Sequence, residues 1–304
     1  MLRFYLQQAL NALQVGSVYA LIALGYTMVY GILTMINFAH GDVFMVSGYV
    51  AFFVATALIS PSLGLPPAVV FAATLLASMF VTALLAVAIE RVAYRPLRGA
   101  HRMSLVITAL GVGLLLENFM VAFRPIGPAP RMLPPLIPST TILIGGIAVS
   151  AVQMVTIAVS AVAMLGLDAL VRHTRVGMAA RAIAWDSTLV PLMGIPVNRI
   201  VSGTFAVGAA VAAVGGTLYG MTYTIDPYMG IRIGWWAFIS AVVGGIGNVR
   251  GAMIGGFLLG VVEVFTPVLL RSSTYRDMVA FSLLLVLLVF RPTGLLGSPA
   301  AQKV

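Results

Sequence analysis

The chain has 304 residues, no cysteine and a formal net charge of +9. Hydrophobic residues make up 61% and charged residues only 8%, against about 45–50% and about 25% in a soluble domain. That excludes a water-facing globular surface, and the missing cysteines exclude disulfides, thiol catalysis and cysteine-held metal.

The apolar residues come in runs of about 20, the length of a membrane-crossing helix, not in the short alternating segments of a β-barrel. The expected class is all-α: a polytopic integral membrane protein with about eight or nine transmembrane or re-entrant helices, forming one domain over 1–304. The opening segment places Arg3, Gln7, Asn11 and Gln14 on one helical face. A cleavable signal needs an unbroken apolar core instead. The stripe points to a helix that begins along the membrane surface or against a partner. Spans follow near 15–34, 43–59, 66–90, 104–123, 147–171, 200–222, 233–246, 252–270 and 275–290. The segment 233–246 is short for a crossing and reads as re-entrant or tilted.

Between the first two spans, MINFAHGDVFM sets Asn37, His40, Gly41 and Asp42 inside an aliphatic run. One reading is a helix interruption whose freed backbone groups and polar side chains line a translocation path or its gate. The other is a structural turn capped by Asn37 and Asp42. His40 and Asp42 lack a third ligand, so metal binding is a weak reading.

Two loops are basic. ERVAYRPLRGAHR carries Arg91, Arg95, Arg98 and Arg102, and the loop 172–199 carries Arg172, Arg175, Arg181 and Arg199. Two complete spans separate them, so both face the same side, and the positive-inside rule makes it cytoplasmic. Basic residues scattered between spans in this way account for the net charge without nucleic acid. The proline-rich stretch RPIGPAPRMLPPLIPS then lies outside, and the tail after Arg291 lies inside. The N-terminal side is left open by the sequence.

The loop 172–199 is long for a connection and has helical patterning punctuated by Gly177, Gly194 and Pro196. Ala179, Ala182, Ile183 and Leu189 are the expected buried face of a short helix, with Arg181, Trp185 and Asp186 pointing elsewhere. It is either an amphipathic surface helix or a coupling helix that docks into a groove on a cytoplasmic ATPase. Further on, Gly208, Ala212, Gly216 and Gly220 form a row of small residues, and Gly251, Gly255, Gly256 and Gly260 repeat the pattern. Such rows allow close helix packing, and a sliding surface is the sharper alternative. A loose internal echo pairs GSVYALIALGYTMVYG and the break NFAHGD with VAAVGGTLYGMTY and the break TIDPYMG. Interrupted segments at matching places in two halves point to a transport site.

Chemistry narrows the function. A phosphate-binding loop needs a lysine, and the one lysine is Lys303, so no Walker A motif can exist here; if transport is ATP-driven the ATPase is another chain, and no cofactor, ATP or Mg included, is expected on this one. Of the three histidines, His101 and His173 fall in basic loops, which leaves a Ser–His dyad without support. Glu263 lies inside an apolar run and Glu117 near the outer end of its span. Buried acids of this kind suit an ion-coupled secondary transporter, against the plainer reading that Glu263 makes a hydrogen bond between helices.

Nearly the whole chain resembles the LivH-type permease of the branched-chain amino acid ABC transporters of bacterial inner (plasma) membranes. The motifs are GSVYALIALGYTMVYGILTMINFAHGDVFM, ERVAYRPLR, TRVGMAARAIAWDSTLVPLMGI, DPYMGIRIGWWAFISAVVGGIGNVRGAMIGGFLLGVVE and RPTGLLG. The resemblance implies a membrane-spanning permease working by alternating access, with ATP and Mg on separate subunits. It assigns ATPase contact to Gly177, Arg181, Ala182, Asp186, Gly194 and Ile195. It also implies a second related permease, two ATP-binding subunits and a periplasmic substrate-binding protein as partners. Branched-chain or other aliphatic amino acids are the expected substrates, with amides or urea as the alternative.

Overall fold

A computed structural model describes residues 1–59, 63–138, 140–186 and 189–297, with only the backbone of Arg102; Lys303 lies outside the described residues. Ten α-helices run along the chain: α1 (Leu2–Leu33), α2 (His40–Leu58), α3 (Pro67–Ile89), α4 (Arg102–Ala122), α5 (Ala151–His173), α6 (Arg175–Trp185), α7 (Val197–Gly220), α8 (Met229–Gly244), α9 (Val249–Leu270) and α10 (Arg276–Phe290). Among the described residues, eight helical segments are long and apolar enough to cross a membrane, and α8 is a shorter apolar helix.

α1 is one continuous helix of 32 residues, where the sequence placed a span only from residue 15. Its polar stripe is absorbed by neighbours. Gln7 donates to Ala148 O at 3.0 Å and accepts from Ala148 N at 2.9 Å. Gln153 donates to Asn11 at 2.9 Å, and Gln14 donates to Thr222 at 3.1 Å. Ala148 belongs to a hairpin the sequence reading did not anticipate, β1 (Thr141–Ile144) paired antiparallel with β2 (Ile147–Ser150). Gly145 and Gly146 make its turn with φ of 60° and 86°, the left-handed region a two-residue hairpin turn requires. The span expected from 147 therefore begins at Ala151, capped by Ser150, whose hydroxyl accepts from Gln153 N.

The hairpin lies at the end opposite the basic loops. The other end of α1 meets α6, since Thr27, Met28, Gly31 and Ile32 share a crevice with Ala180, Arg181 and Trp185. α1 is thus long and apolar enough to run from the hairpin end of the bundle to the end that carries the basic loops.

Glycines set the helix spacing. A Cβ on Gly256 would overlap the backbone of Ala20, and one on Gly260 the backbone of Gly16, so α9 lies directly on α1. Gly251 and Gly255 do the same against Gly244 and Ser240 of α8. On α7, Gly208 faces Gly25 of α1, whereas Gly216 faces Ser47 and Phe44 of α2. Ala212 is fully buried between them, and Gly220 lies against Ile225. In lipid, where apolar burial gives no drive to association, such close backbone contact is a main source of helix cohesion.

Two interruptions break the bundle. The first runs from Thr34, in the left-handed conformation, to Ala39. The second, 221–228, separates α7 from α8 and is held by a bridge in which Arg131 and Ile225 exchange backbone hydrogen bonds at 2.8 Å. Non-helical backbone at this depth needs such protein partners. α8 has 16 residues, about 24 Å at 1.5 Å per residue, short of a core about 30 Å thick. The tail closes its inner end: Leu295 and Leu296 donate to Val243 O and Gly244 O at 2.9 and 3.0 Å.

Candidate functional site

The two interruptions bring the starts of α2 and α8 together. A Cβ on Gly41 would overlap Gly230 O, and a Cβ on Gly230 would come within 2.9 Å of both Gly41 O and Asp42 Cα. Only hydrogen side chains let these backbones meet. The carboxylate of Asp42 then lies between Gly230 of α8 and Gly113 of α4, filling the space a Cβ on either would occupy.

Asp42 is 5% exposed, and its Oδ1 has no hydrogen-bond partner among the described residues. It opens onto a crevice of about 300 Å³ whose walls are the aromatic side chains of Tyr26, Phe38, Trp235 and Phe238 with Leu110, Leu114 and Ile231. A buried acceptor without a donor is costly, and a carboxylate beside aromatic faces suits an ammonium group. Glu117, read from sequence as reaching the interface, is instead 6% exposed on α4.

Asn37 and His40 serve other contacts. Tyr94 O–H donates to Asn37 Oδ1 at 2.7 Å, tying the first interruption to the inner end of α3. His40 packs edge-on against Tyr26 at 4.9 Å, beside Gly25 and the backbone of Ile22, with Nε2 unpartnered among the described residues. Neither lines the crevice.

Below the crevice, α3 widens into a π-helical turn, Glu90–Tyr94, followed by a tighter 3-10 turn, Arg95–Leu97. Glu90 is fully buried and accepts from Arg95, Arg98 and Ser202, the last at 2.5 Å. Arg98 also donates to Asn198 at 2.7 Å. Burial pushes the Arg98 guanidinium down from its ordinary value, and the Glu90 carboxylate opposes that shift. This cluster locks the first basic loop to the start of α7; the run ERVAYRPLR carried its residues, but the reach to Ser202 was not visible in sequence.

The second basic loop folds as α6 followed by a short turn, Val190–Met193. Gly177 sits where any Cβ would strike the carbonyls of Leu170 and Val171, so α6 doubles back tightly over the end of α5. Thr174 caps it by accepting from Gly177 N at 3.1 Å, and Arg181 donates to Val171 O. Asp186 N donates to Ala182 O at 3.0 Å, and the Asp186 carboxylate accepts from Leu189 N at 3.2 Å. Gly194 takes φ 76° to end the turn, and Ile195 packs against the inner core. The buried face is Gly177, Ala180 and Ile183. Ala179 and Ala182 are only half-buried and Leu189 is exposed, because α6 packs on α5, α1 and α7 with Gly177, Ala180 and Ile183 as its buried ridge. The residues named from sequence thus frame the loop, while Trp185, Leu192 and Met193 project outward at 74%, 83% and 78% exposure.

Glu263 accepts a hydrogen bond from Tyr19, linking α9 to α1, as the plainer sequence reading has it. It lies at the outer end of the bundle with Arg276, Asp277 and Arg232, a constellation the sequence reading missed because those residues are scattered over three helices.

The chain matches known proteins over nearly its whole length. Residues 8–288 match the family model described as "Branched-chain amino acid transport system / permease component". The chain is 45% identical to the high-affinity branched-chain amino acid transport system permease protein BraD of Pseudomonas aeruginosa, covering 99% of this chain and 98% of that one. It is 42% identical to the corresponding protein LivH of Salmonella typhimurium and 41% identical to LivH of Escherichia coli K12, with the same coverage.

Proposed function

The chain belongs to the branched-chain amino acid transport system permease family, and on that premise we propose that it forms the membrane path of an ATP-driven importer of aliphatic amino acids. The observation that carries the site is the Asp42 carboxylate, whose Oδ1 has no partner among the described residues, beside an aromatic and aliphatic crevice where two interrupted helices start. Its charge receives the substrate ammonium, and Leu110, Leu114 and Ile231 receive the aliphatic side chain. Selection among leucine, isoleucine and valine falls largely to a periplasmic binding protein that delivers substrate to the outer end.

The crevice is open between α4 and α8, and α4 has no extensive contact except with α2 and the turn after α3. A second, related permease completes its wall. On the cytoplasmic side, Trp185, Leu192 and Met193 are exposed apolar side chains outside the spans. Exposed apolar patches mark interaction sites, and the occupant here is one of two ATP-binding subunits that carry ATP and Mg. α6 contacts α1, and α1 ends at the first interruption. Movement of the loop therefore reaches Asp42 through one helix, and ATP-driven closure switches the crevice between outer and inner access. Such a switch works only through contacts that differ between the two states. The assembly resides in the bacterial inner membrane.

The test is uptake of radiolabelled leucine by proteoliposomes holding the assembled complex, with Asp42→Asn set beside Asn37→Ala and His40→Ala. Asp42→Asn is expected to stop uptake while leaving assembly intact. Normal uptake by that variant removes Asp42 from the path.

A further inference from the structure

The outer end of the bundle holds a second cavity, of about 350 Å³, within the range of small-molecule sites of about 300–1,000 Å³. It is separated from the Asp42 crevice by α8: Ile231, Trp235 and Phe238 face the crevice, and Arg232, Ile233 and Trp236 face this cavity. Its polar groups are arranged in an unusual way. Each carboxylate is held by an aromatic donor: Tyr19 O–H donates to Glu263, and Trp236 Nε1 donates to Asp277 at 3.1 Å. Arg232 is matched by Asp226 at 2.9 Å. Arg276 has only a loose ion pair with Glu263. It stands 3.9 Å from Glu263, beyond hydrogen-bond distance, and its Nε is buried with no acceptor among the described residues.

Two carboxylates and two guanidiniums thus face a shared space; Arg232 is taken up by Asp226, and Arg276 stands near the carboxylates without a hydrogen bond to Glu263. A cationic ligand leaves Arg276 unmatched, and an anionic ligand is repelled by Glu263 and Asp277. A ligand that carries both charges close together satisfies all three. Val18, Ile233 and Leu218 give the wall an apolar side, with the stacked rings of Tyr19 and Trp236 5.8 Å apart, and Gln14, Thr222 and Ser273 add neutral polar groups.

We propose that this cavity is an outer loading station for the α-amino acid zwitterion, with its carboxylate at Arg276, its ammonium at Glu263 and Asp277, and its side chain against Val18 and Ile233. The station rests on the permease reading above and precedes the Asp42 crevice, with α8 as the wall between them. A zwitterionic lipid headgroup, phosphatidylethanolamine, offers the same pair of charges and is the competing source.

Saturation-transfer NMR with L-leucine, on the assembled complex in nanodiscs without binding protein, tests this. The complex carries Asp42→Asn so that the inner crevice does not contribute. Saturable transfer to leucine is expected. It is expected to fall at least tenfold with leucinamide, which lacks the carboxylate, and with 4-methylpentanoate, which lacks the amine. Glu263→Gln and Arg276→Gln, made separately so that one failing to assemble leaves the other, are each expected to weaken leucine at least tenfold. Leucine binding unchanged in an assembled variant overturns the station. So does binding in phosphatidylglycerol discs that disappears in phosphatidylethanolamine discs, which gives the cavity to a lipid. ATP-driven leucine uptake by the unmutated complex is measured alongside. Its absence counts against the permease reading itself, whereas its presence with indifferent Glu263 and Arg276 variants counts against the station alone.

Discussion

The imidazole of His40 occupies the space that a side chain on Gly25 would fill. The same missing Cβ also brings Gly208 O of α7 to within 2.9 Å of that position, so one glycine accommodates both a buried ring and a helix crossing. Gly25→Ala is expected to destabilise the protein by about 1–3 kcal/mol through overpacking, read as a lower thermal midpoint in a fixed detergent. His40→Ala in the same chain should recover much of that loss, because the two residues compete for one space and their effects are not additive. Equal midpoints for Gly25→Ala and the parent chain contradict the packing.

Asp42 and Asn37 lie in one short motif but face different surroundings, and their variants should separate. Asp42→Asn is expected to lower uptake at least tenfold with little change in thermal midpoint, since the carboxylate has no donor to lose at Oδ1. Asn37→Ala removes the acceptor of the Tyr94 hydroxyl and is expected to cost about 1–3 kcal/mol of stability, while uptake per assembled complex stays within about twofold. The reverse pattern would exchange their roles.

How much of this was visible in the sequence follows from what each feature depends on. Span number and order are set by local apolar length, so α2, α3, α7 and α9 appear within a few residues of their expected ends. The start of α1 was misplaced because Gln7, Asn11 and Gln14 find partners far along the chain at Ala148, Gln153 and Thr222. Local polarity read as an interface is in fact a set of tertiary contacts. The hairpin carried its signal in Gly145–Gly146, hidden by an apolar run, IAVS, that also suits a membrane helix. The break at 34–39 was legible as a break. Its meeting with the start of α8 was not, since that depends on Gly41, Gly113 and Gly230 coming together from three helices.

Glu90 gathers two arginines and a serine in a fully buried position. Glu90→Gln leaves two guanidiniums facing one neutral amide. Removing one member of a buried pair costs about 3–5 kcal/mol, but Arg95 is a third exposed and water offsets part of that, so about 2–3 kcal/mol is expected. Protease cleavage between Arg95 and Arg102 should become faster. A cleavage rate equal to that of the parent chain would show that the cluster does not hold this turn.

The cytoplasmic loop divides into a frame and a contact surface. Leu192→Asp and Trp185→Ala change side chains that touch little of this chain, so membrane insertion and thermal midpoint should hold while co-purification of the ATP-binding subunit falls at least tenfold. Arg181→Ala, which frees the Val171 carbonyl, is expected to leave assembly but uncouple ATP hydrolysis from uptake. Coupled transport intact in all three variants removes the loop from the docking role.

The central claim is an ATP-driven path through this chain, and it is tested most directly by leucine accumulation in proteoliposomes. One set holds the assembled complex with its loaded binding protein, and the other holds this chain alone under an imposed proton or sodium gradient. Accumulation is expected only in the first set and only with ATP inside reach of the ATP-binding subunits. Gradient-driven accumulation by the chain alone, without ATP, would contradict it.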